Sequence, residues 1–357
     1  MRSVLGWDIG GVNTKLARVE GGRVQQVVNR PFELQRAPDA LVSLLREMAR
    51  DVAGNVRRAD AAHGEADAER ARHAVTMTAE LSQMFRTKRE GVGFVLDAVE
   101  RAFPGADVHV YTTHGTFVSS AEARLHPLAV AAANWAATAA AVAAMHPDAV
   151  LVDIGTTTTD IIPIVGGRVA ALGRTDPERL ASGELVYSGA VRTPVEAIVN
   201  DVPVGTGRAG VSTEAFALAG DVHVWRGALP AEDYTSPTPD GRPATRGFAR
   251  ERLARVVCAD TQMLDDAAIS AIADAVADAQ TTRIADAIRR VIARHPSLHT
   301  AVVTGVGAFI GAAAATAAAL HVVPLANDLG DAAARSAPAA AVALLLEGTR
   351  CRPSMSS

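Results

Sequence analysis

The residues with the clearest potential for chemistry are two aspartates, each followed directly by Ile-Gly and small polar residues. Asp8 opens the sequence Asp-Ile-Gly-Gly-Val-Asn-Thr-Lys, and Asp153 opens Asp-Ile-Gly-Thr-Thr-Thr-Thr-Asp. The two copies stay in register, because Gly-Gly-Arg-Val follows at residues 21–24 and again at residues 166–169. The sequence therefore predicts a duplicated unit of strand, turn, strand, turn and strand. The alternative is a pair of unrelated hairpin turns, in which Gly, Asn and Asp are common anyway.

A turn of this composition suits a phosphate group. Glycine permits positive φ, so that successive backbone N–H groups point at one anionic oxygen, and hydroxyl groups add further donors. The carboxylates of Asp8 and Asp153 would not touch phosphate, and we expect them to hold Mg²⁺ or its water ligands. The predicted phosphate-binding residues are Gly10, Gly11, Asn13, Thr14 and Lys15 in the first turn and Gly155, Thr156, Thr157 and Thr158 in the second.

Lysine is rare in this chain: among 35 Lys and Arg residues only Lys15 and Lys88 are lysine. A lysine in such a chain marks a place where a compact ammonium group is required. Lys15 would place that charge on a diphosphate, and it aligns with Asp160 in the second copy. We assign catalytic roles to both Lys15 and Asp160, because the asymmetry suits one ligand bound between unlike halves.

Glu80 is the candidate general base. It follows a strand predicted over residues 73–78, and we expect its side chain to face the cleft. The alternative is a glutamate at the start of a helix, a position favoured by the helix dipole.

Further polar and aromatic residues are candidates for binding substrate. The basic cluster at 86–89 could hold carboxylates, or it could be a solvated loop. Asn134 and Trp135 interrupt an Ala-rich helix predicted over 126–145, so they could line a substrate site or pack in the core. The predicted substrate-binding residues are Arg86, Lys88, Arg89, Asn134, Trp135, Tyr187, Ser188 and Arg192.

Several motifs of this sequence resemble those of known families. The two Asp-Ile-Gly motifs resemble the phosphate motifs of the acetate kinase, sugar kinase, Hsp70 and actin superfamily. Over residues 3–347 the chain is similar to hydantoinase/oxoprolinase-related proteins of the tetrahydromethanopterin-linked C1 transfer pathway, which include methanofuran-biosynthesis synthases. The motifs that carry this second resemblance are Val75–Phe85, Ala133–Trp135, Gly183–Pro194 and Asp240–Arg242.

The resemblance implies a specific transferase reaction. The phenol oxygen of γ-glutamyltyramine would attack the methylene carbon of (5-aminomethylfuran-3-yl)methyl diphosphate, forming an aryl-alkyl ether and releasing diphosphate. Such a reaction requires groups that neutralise the leaving diphosphate and a base near the phenol. Mg²⁺ is the implied cofactor, and small molecules are the implied partners.

The resemblance also implies the fold: a two-domain, duplicated actin-like/ribonuclease H-like α/β fold with mixed sheets and a central cleft. We assign residues 1–145 to a first domain, residues 146–349 to a second and residues 350–357 to a flexible tail. Residues 55–72 are charged and Ala-rich and predict an exposed loop or frayed helix. A helix predicted over 331–347 closes the fold.

Composition excludes several classes of function. The net charge of −4 provides no basic face for nucleic acid or for an anionic membrane. The two cysteines match neither a metal site nor a disulfide framework, and no apolar run has the length of a membrane span. We therefore expect a cytoplasmic enzyme, with homo-oligomerisation left open.

Three other functions compete with ether synthesis. An ATP-dependent small-molecule kinase would use Thr304–Phe309 as a Gly-rich turn at adenosine, although an ordinary strand-to-helix turn explains that segment equally well. A hydantoinase- or oxoprolinase-type hydrolase is the second, but no metal cluster or nucleophile–base spacing supports it. The third is an actin-like filament or chaperone module, which the fold permits.

Overall fold

The computed structural model describes residues 3–53 and 71–349. The tail 350–357 and nearly all of the segment 55–72 lie outside these ranges. The strands are β1 Val4–Ile9, β2 Asn13–Glu20, β3 Arg23–Pro31, β4 Arg72–Met77, β5 Asp107–Tyr111, β6 Phe117–Ser119, β7 Ala149–Ile154, β8 Thr159–Val165, β9 Arg168–Val169, β10 Leu185–Val186, β11 Asp201–Val204, β12 Gly207–Gly210, β13 Thr300–Thr304 and β14 His321–Pro324.

The helices alternate with these strands. They are α1 Leu41–Ala53, α2 Lys88–Ala102, α3 Ser120–Leu125, α4 Pro127–Val130, α5 Asn134–Met145, α6 Asp176–Ser182, α7 Ala219–Trp225, α8 Arg246–Arg255, α9 Asp266–Ile292, α10 Ala308–Ala317, α11 Ala326–Leu329, α12 Asp331–Arg335 and α13 Ala337–Gly348. Short 3₁₀ turns occupy Pro38–Ala40, Ala79–Leu81, Val195–Ala197 and Ala231–Asp233. Within the described ranges, no helix has the length and apolarity needed to cross a membrane.

The chain forms two compact units. Among the described residues, the first comprises residues 3–53, 71–147, 164–178 and 325–349, and the second comprises residues 148–163 and 179–324. The change near residue 147 lies close to the boundary predicted at 145. The second unit, however, does not continue to residue 349 as predicted, because the last helices pack in the first unit.

The first unit is built on a sheet with the order β3-β2-β1-β4-β5-β6. The first three strands form an antiparallel meander, and β1, β4 and β5 are parallel. This is the predicted meander followed by alternating helices and strands. Every residue of β1 and of β4 is buried, because helices cover both faces of the parallel part.

Helix α13 reaches β1 at a glycine. A Cβ on Gly6 would lie 2.1 Å from the carbonyl oxygen of Ala339 and 2.7 Å from Cβ of Ala343. Only glycine permits this approach of a helix backbone to a strand. The predicted helix 331–347 is in fact two helices that break at Ser336, and Pro338 lies in the first turn of the second.

The second unit has a sheet with the order β10-β8-β7-β13-β14, and β7, β13 and β14 are parallel. Strand β9, which contains the second Arg-Val, has only two residues and pairs with Ile164 and Val165 at the end of β8, where the chain belongs to the first unit. The duplicated meander is therefore complete in the first copy and abbreviated in the second. Helix α9 packs along this unit and buries Ile269, Ile272, Val276, Ile284 and Ile288, as the spacing of its apolar residues predicts.

The prediction of one continuous helix over 126–145 is wrong. The segment is interrupted at residues 131–133, where Ala132 has φ 50° and Ala131 pairs in parallel with Met77. A non-glycine residue with positive φ is uncommon and strained. The Ala-rich sequence gives no signal of this break, because alanine is the strongest helix former. The break brings the backbone of Ala132 to Glu80.

Candidate active site

Each Asp-Ile-Gly turn is closed by the same hydrogen bond. The Gly10 N–H donates to the Asn13 carbonyl over 3.0 Å, and the Gly155 N–H donates to the Thr158 carbonyl over 2.9 Å. Alignment of the two copies makes these bonds equivalent. The repeat seen in the sequence is thus a repeat of backbone geometry.

The duplication extends to a threonine that sequence reasoning did not identify. Asp8 on β1 lies in register with Thr76 on the parallel strand β4. In the second unit Asp153 on β7 lies in register with Thr304 on the parallel strand β13. Each aspartate therefore stands at the end of a buried strand beside a threonine of the adjacent strand. The signal available in the sequence was the Thr-containing end of each of these strands.

Lys15 lies next to Asp8 in the first unit. The two residues face each other across β1 and β2, and Nζ of Lys15 is 3.5 Å from Oδ2 of Asp8. The aspartate is buried, whereas the lysine is partly exposed. Lys15, Asp8 and Thr76 project on one face of the sheet because they are cross-strand neighbours. This face presents one cation, one carboxylate and one hydroxyl group.

The same region fits an oxygen-binding cation by its donor chemistry. Within the described residues, Oγ1 of Thr76 and Oδ1 of Asn13 are buried and have no hydrogen-bond partner. Buried polar atoms without a partner are rare and indicate a ligand, an ion or water. Carboxylate, hydroxyl and amide oxygens are the ligands that Mg²⁺ accepts. The described residues contain no group of three or more His, Cys, Asp or Glu side chains arranged for a metal.

The second turn is braced by a glycine-rich segment. Gly305 has φ +88°, and a Cβ there would lie 2.5 Å from Oδ1 of Asp153. The Gly307 N–H donates to the Ile154 carbonyl over 2.9 Å. The segment Thr304–Gly307 thus packs directly on the end of β7, which explains its glycines by close approach.

Glu80 lies in the 3₁₀ turn after β4 and is 2 % exposed. Within the described residues no side chain donates a hydrogen bond to either carboxylate oxygen. Nζ of Lys88 lies 3.9 Å from Oε1. Desolvation raises the pKa of Glu80 to about 7, against the opposing effects of Lys88 and of the backbone N–H groups of Glu80 and Ala132.

Asp176 completes this cluster and was missed from the sequence. Nζ of Lys88 donates to Oδ2 of Asp176 over 2.9 Å, and the negative charge of Asp176 adds to the raised pKa of Glu80. Asp176 begins helix α6, so an acidic helix start was visible in the sequence, but its distance from Lys88 was not. Lys88 is therefore an ionic partner of two carboxylates within one unit.

Helix α2 can approach Glu80 only because residue 91 is glycine. A Cβ on Gly91 would lie 2.5 Å from Cα of Glu80 and 2.8 Å from Cδ2 of Phe85. Lys88 lies three residues earlier on the same helix. The glycine thus brings the helix that carries Lys88 against the turn that carries Glu80.

The remaining predicted residues have varied surroundings. Asp160 forms a buried ion pair with Arg179. Arg89 donates to the Arg124 carbonyl, and Arg86 and Arg192 are exposed. Asn134 begins helix α5, and Trp135 is buried in the core.

Tyr187 and Ser188 are adjacent in the sequence but differ in exposure. Tyr187 is exposed and lines an open groove of about 690 Å³ together with Leu180, Arg283 and Arg290. Ser188 is buried, and its Oγ accepts a hydrogen bond from Nε2 of Gln280.

Comparison with known proteins first defines the class of fold. The nucleotide-free structure of acetone carboxylase, from work on ATP-dependent acetone carboxylation, has a TM-score of 0.54 and 13 % sequence identity to this chain. The alignment covers 96 % of this chain and 69 % of that one. This likeness and the mixed sheets confirm the predicted α/β fold class.

The sequence comparisons then define the family. The hydantoinase/oxoprolinase model matches residues 71–348, and the chain belongs to that family. A relative from Methanocaldococcus jannaschii, named (4-{4-[2-(gamma-L-glutamylamino)ethyl]phenoxymethyl}furan-2-yl)methanamine synthase, is 38 % identical over 74 % of each chain. A relative of the same name from Methanococcus vannielii is 42 % identical over 32 % of this chain and 51 % of its own length. The predicted family resemblance and the prediction of an enzyme are confirmed.

Proposed function

We propose that this chain joins a furanylmethyl diphosphate to the phenol of a glutamylated tyramine, forming an aryl-alkyl ether and releasing diphosphate. The observation that carries the proposal is Glu80, a buried carboxyl group whose pKa is raised to about 7. A general base works best when its pKa lies near the working pH. The names of the two relatives describe a molecule with the same phenoxymethylfuran ether.

The proposed reaction makes one bond and breaks one. The phenol oxygen forms a bond to the methylene carbon of the furan as the bond from that carbon to the diphosphate oxygen breaks. The phenol proton passes to a carboxylate oxygen of Glu80, and the bonding electrons leave with diphosphate. Burial raises the pKa of Glu80, and the charges of Lys88 and Asp176 then shift it in opposite directions, Lys88 lowering it and Asp176 raising it.

Neutralising the leaving diphosphate is the second requirement. Lys15 is partly exposed beside Asp8, so its ammonium can exchange one anionic partner for a phosphate oxygen. The N–H groups of the two Asp-Ile-Gly turns supply further donors. Asp8 and Asp153 are the proposed residues for Mg²⁺, which would neutralise part of the diphosphate charge when bound.

Lys88 changes its role in this proposal. The sequence placed it with Arg86 and Arg89 as a binding site for the glutamyl carboxylates. Its bond to Asp176 and its proximity to Glu80 favour a role in setting the ionisation of the base. Arg86 and Arg89 stay proposed binding residues for the acceptor.

The test supplies both substrates without nucleotide. Purified protein is incubated with Mg²⁺, the furanylmethyl diphosphate and glutamylated tyramine, and the ether is measured by mass spectrometry and diphosphate by a coupled assay. Equal amounts of both products without ATP support the proposal. ATP hydrolysis that requires no furan would contradict it and favour the kinase alternative.

Lys15→Met is the informative variant for the leaving group. We expect it to lower kcat/KM for the diphosphate substrate by about 10²-fold, the size of effect seen when one donor to a developing anion is removed. Arg18→Met is the matched control, because Arg18 lies on the same strand and pairs with Glu20. That control should retain the wild-type value.

A further inference from the structure

The second Asp-Ile-Gly turn is supported from behind by the segment 188–193. The Ala190 N–H donates to the Gly155 carbonyl over 2.9 Å. The N–H groups of Val191 and Arg192 both donate to the Thr156 carbonyl, over 3.1 Å and 2.8 Å. Two successive carbonyl groups of the turn are therefore held on one side by the same segment.

Peptide geometry then fixes the direction of the turn's N–H groups. In a trans peptide the carbonyl and the following N–H point in opposite directions. Since the carbonyls of Gly155 and Thr156 point back to the segment 188–193, the N–H groups of Thr156 and Thr157 point away from it. Within the described residues these two N–H groups donate no hydrogen bond. They are the donors that a phosphate would use.

Gly189 is the point of closest approach between segment and turn. A Cβ on this residue would lie 2.5 Å from the backbone nitrogen of Thr157. The Gly189 N–H donates to Oγ1 of Thr193 over 2.9 Å. The Gly189 carbonyl accepts from Nε2 of Gln280 over 2.9 Å. Both backbone groups of this residue are thus held by side chains.

Gln280 is a buried amide in the middle of helix α9 and is 1 % exposed. Its Nε2 donates to the Gly189 carbonyl and to Oγ of Ser188, and its Oε1 lies 2.9 Å from Nε2 of His223. Because a carbonyl can only accept, the amide nitrogen must face Gly189, and Oε1 must accept from His223. Burial lowers the pKa of His223 to about 4, so the imidazole is neutral.

The first turn is supported differently. The carbonyls of Gly11 and Val12 accept from the N–H groups of Leu34 and Phe32. Leu34 is buried within the hydrophobic core of that unit. Apolar packing therefore fixes the support of the first turn, whereas a chain of polar side chains fixes the support of the second.

We propose that Gln280, oriented by His223, is a positioning residue that holds Gly189 against Thr156–Thr157 and thereby keeps the second turn preorganised for the diphosphate of the substrate. This inference rests on the proposed function, because it assigns the ligand of the turn. Gln280 touches no ligand itself and acts on affinity through the backbone.

Gln280→Met tests the proposal, because methionine keeps an unbranched chain of similar volume and removes the hydrogen bonds of the amide to Gly189, Ser188 and His223. We expect the KM for the furanylmethyl diphosphate and the Kd for Mg²⁺-pyrophosphate to rise by about tenfold, the effect of losing one or two hydrogen bonds. The KM for the acceptor should not change. Hydrogen exchange at Ala190, Val191 and Arg192, whose N–H groups donate to the turn, should become faster.

Ser270→Ala is the matched control on the same helix. Ser270 accepts a hydrogen bond from Nε1 of Trp225 and lies outside the chain from His223 to Gly189. It should leave both constants and the exchange of the Ala190, Val191 and Arg192 amides unchanged. Wild-type pyrophosphate affinity and wild-type exchange in a folded Gln280→Met variant would overturn the proposal.

A second pair of variants keeps the test decisive if Gln280→Met does not fold. Thr193→Val removes the hydroxyl that binds Gly189, and Thr193→Ser restores it. Weaker pyrophosphate binding in the valine variant with recovery in the serine variant supports the inference. Equal binding in both variants would contradict it.

Failure of the proposed function gives a different result. Wild-type protein that binds pyrophosphate but forms no ether would contradict ether synthesis and leave the role of Gln280 measurable in the binding and exchange experiments.

Discussion

Glu80 shows how burial brings the pKa of an ordinary carboxyl group to about 7, the range that the proposed general base requires. Its surroundings remove water from both oxygens, and Nζ of Lys88 is 3.9 Å from Oε1. Burial alone would keep the carboxyl protonated at neutral pH, and Lys88 opposes this effect. The balance leaves the group able both to accept and to release a proton near pH 7.

The pH dependence of catalysis follows from this balance. If Glu80 is the base, kcat should rise with pH through about 7, because only the ionised carboxylate accepts the phenol proton. Glu80→Gln should lower kcat by about 10²- to 10⁴-fold and abolish this part of the profile. Lys88→Met should move the rise to higher pH, since it removes the charge that favours the carboxylate. An unchanged profile in both variants would exclude Glu80 from the reaction.

The stability of the protein should depend on the same group. The pKa of Glu80 is raised from 4.5 to about 7 by folding, so between these values the folded state binds the proton more tightly than the unfolded state. Its contribution to stability is present below pH 4.5 and is lost as pH rises through about 7. The total change is about 3 kcal/mol by linkage.

Urea unfolding at pH 5 and pH 8 measures this effect. The difference in free energy of unfolding between wild type and Glu80→Gln should become smaller, or reverse sign, at the higher pH. A difference that is constant across this range would show that Glu80 has an ordinary pKa.

At the scale of elements, the surroundings of Glu80 depend on helix α2 and on the interruption of the Ala-rich segment at residues 131–133. Helix α2 carries Lys88 and touches the turn at Gly91, and the interruption of the Ala-rich segment brings the backbone of Ala132 to the carboxyl group. Neither contact is encoded by hydrophobic periodicity, which specifies the buried face of a helix but not its closest neighbour.

Substitutions at two glycines of helix α2, Gly91 and Gly93, distinguish the effect of close packing from the effect of helix propensity. Gly91→Ala should destabilise the protein by about 1–3 kcal/mol and lower kcat, because its Cβ would overlap the backbone of Glu80. Gly93→Ala meets no atom within 4 Å and should stabilise the helix by about 0.5–1 kcal/mol. Thermal unfolding and kcat of both variants test this contrast. Equal effects of the two substitutions would contradict the described contact.

At the scale of the whole molecule, the sequence predicted the features that depend on residues close together in the chain. The doubled Asp-Ile-Gly turns, the first meander and the long helix α9 follow from repeats and from the spacing of apolar residues. The packing of helix α13 against β1 was not predicted. It depends on a close approach of Gly6 to Ala339, which are far apart in the sequence and belong to no common repeat.

The candidate site divides in the same way. The sequence singled out Asp8 and Lys15 as candidates by residue type and by the repeated motif, and Glu80 by its position after a predicted strand. It could not single out Asp176 or Gln280, because each contacts a partner far away in the chain. Long-range hydrogen bonds between side chains leave no periodic signal, so they required the structure.

The central claim is that the phenol oxygen attacks carbon while diphosphate departs, and an isotope experiment tests it most directly. Glutamylated tyramine labelled with ¹⁸O in the phenol is incubated with the furanylmethyl diphosphate, Mg²⁺ and the protein, and both products are analysed by mass spectrometry. We predict that the label stays in the ether and that none enters diphosphate. An unlabelled ether, or label in a phosphate product, would contradict the account.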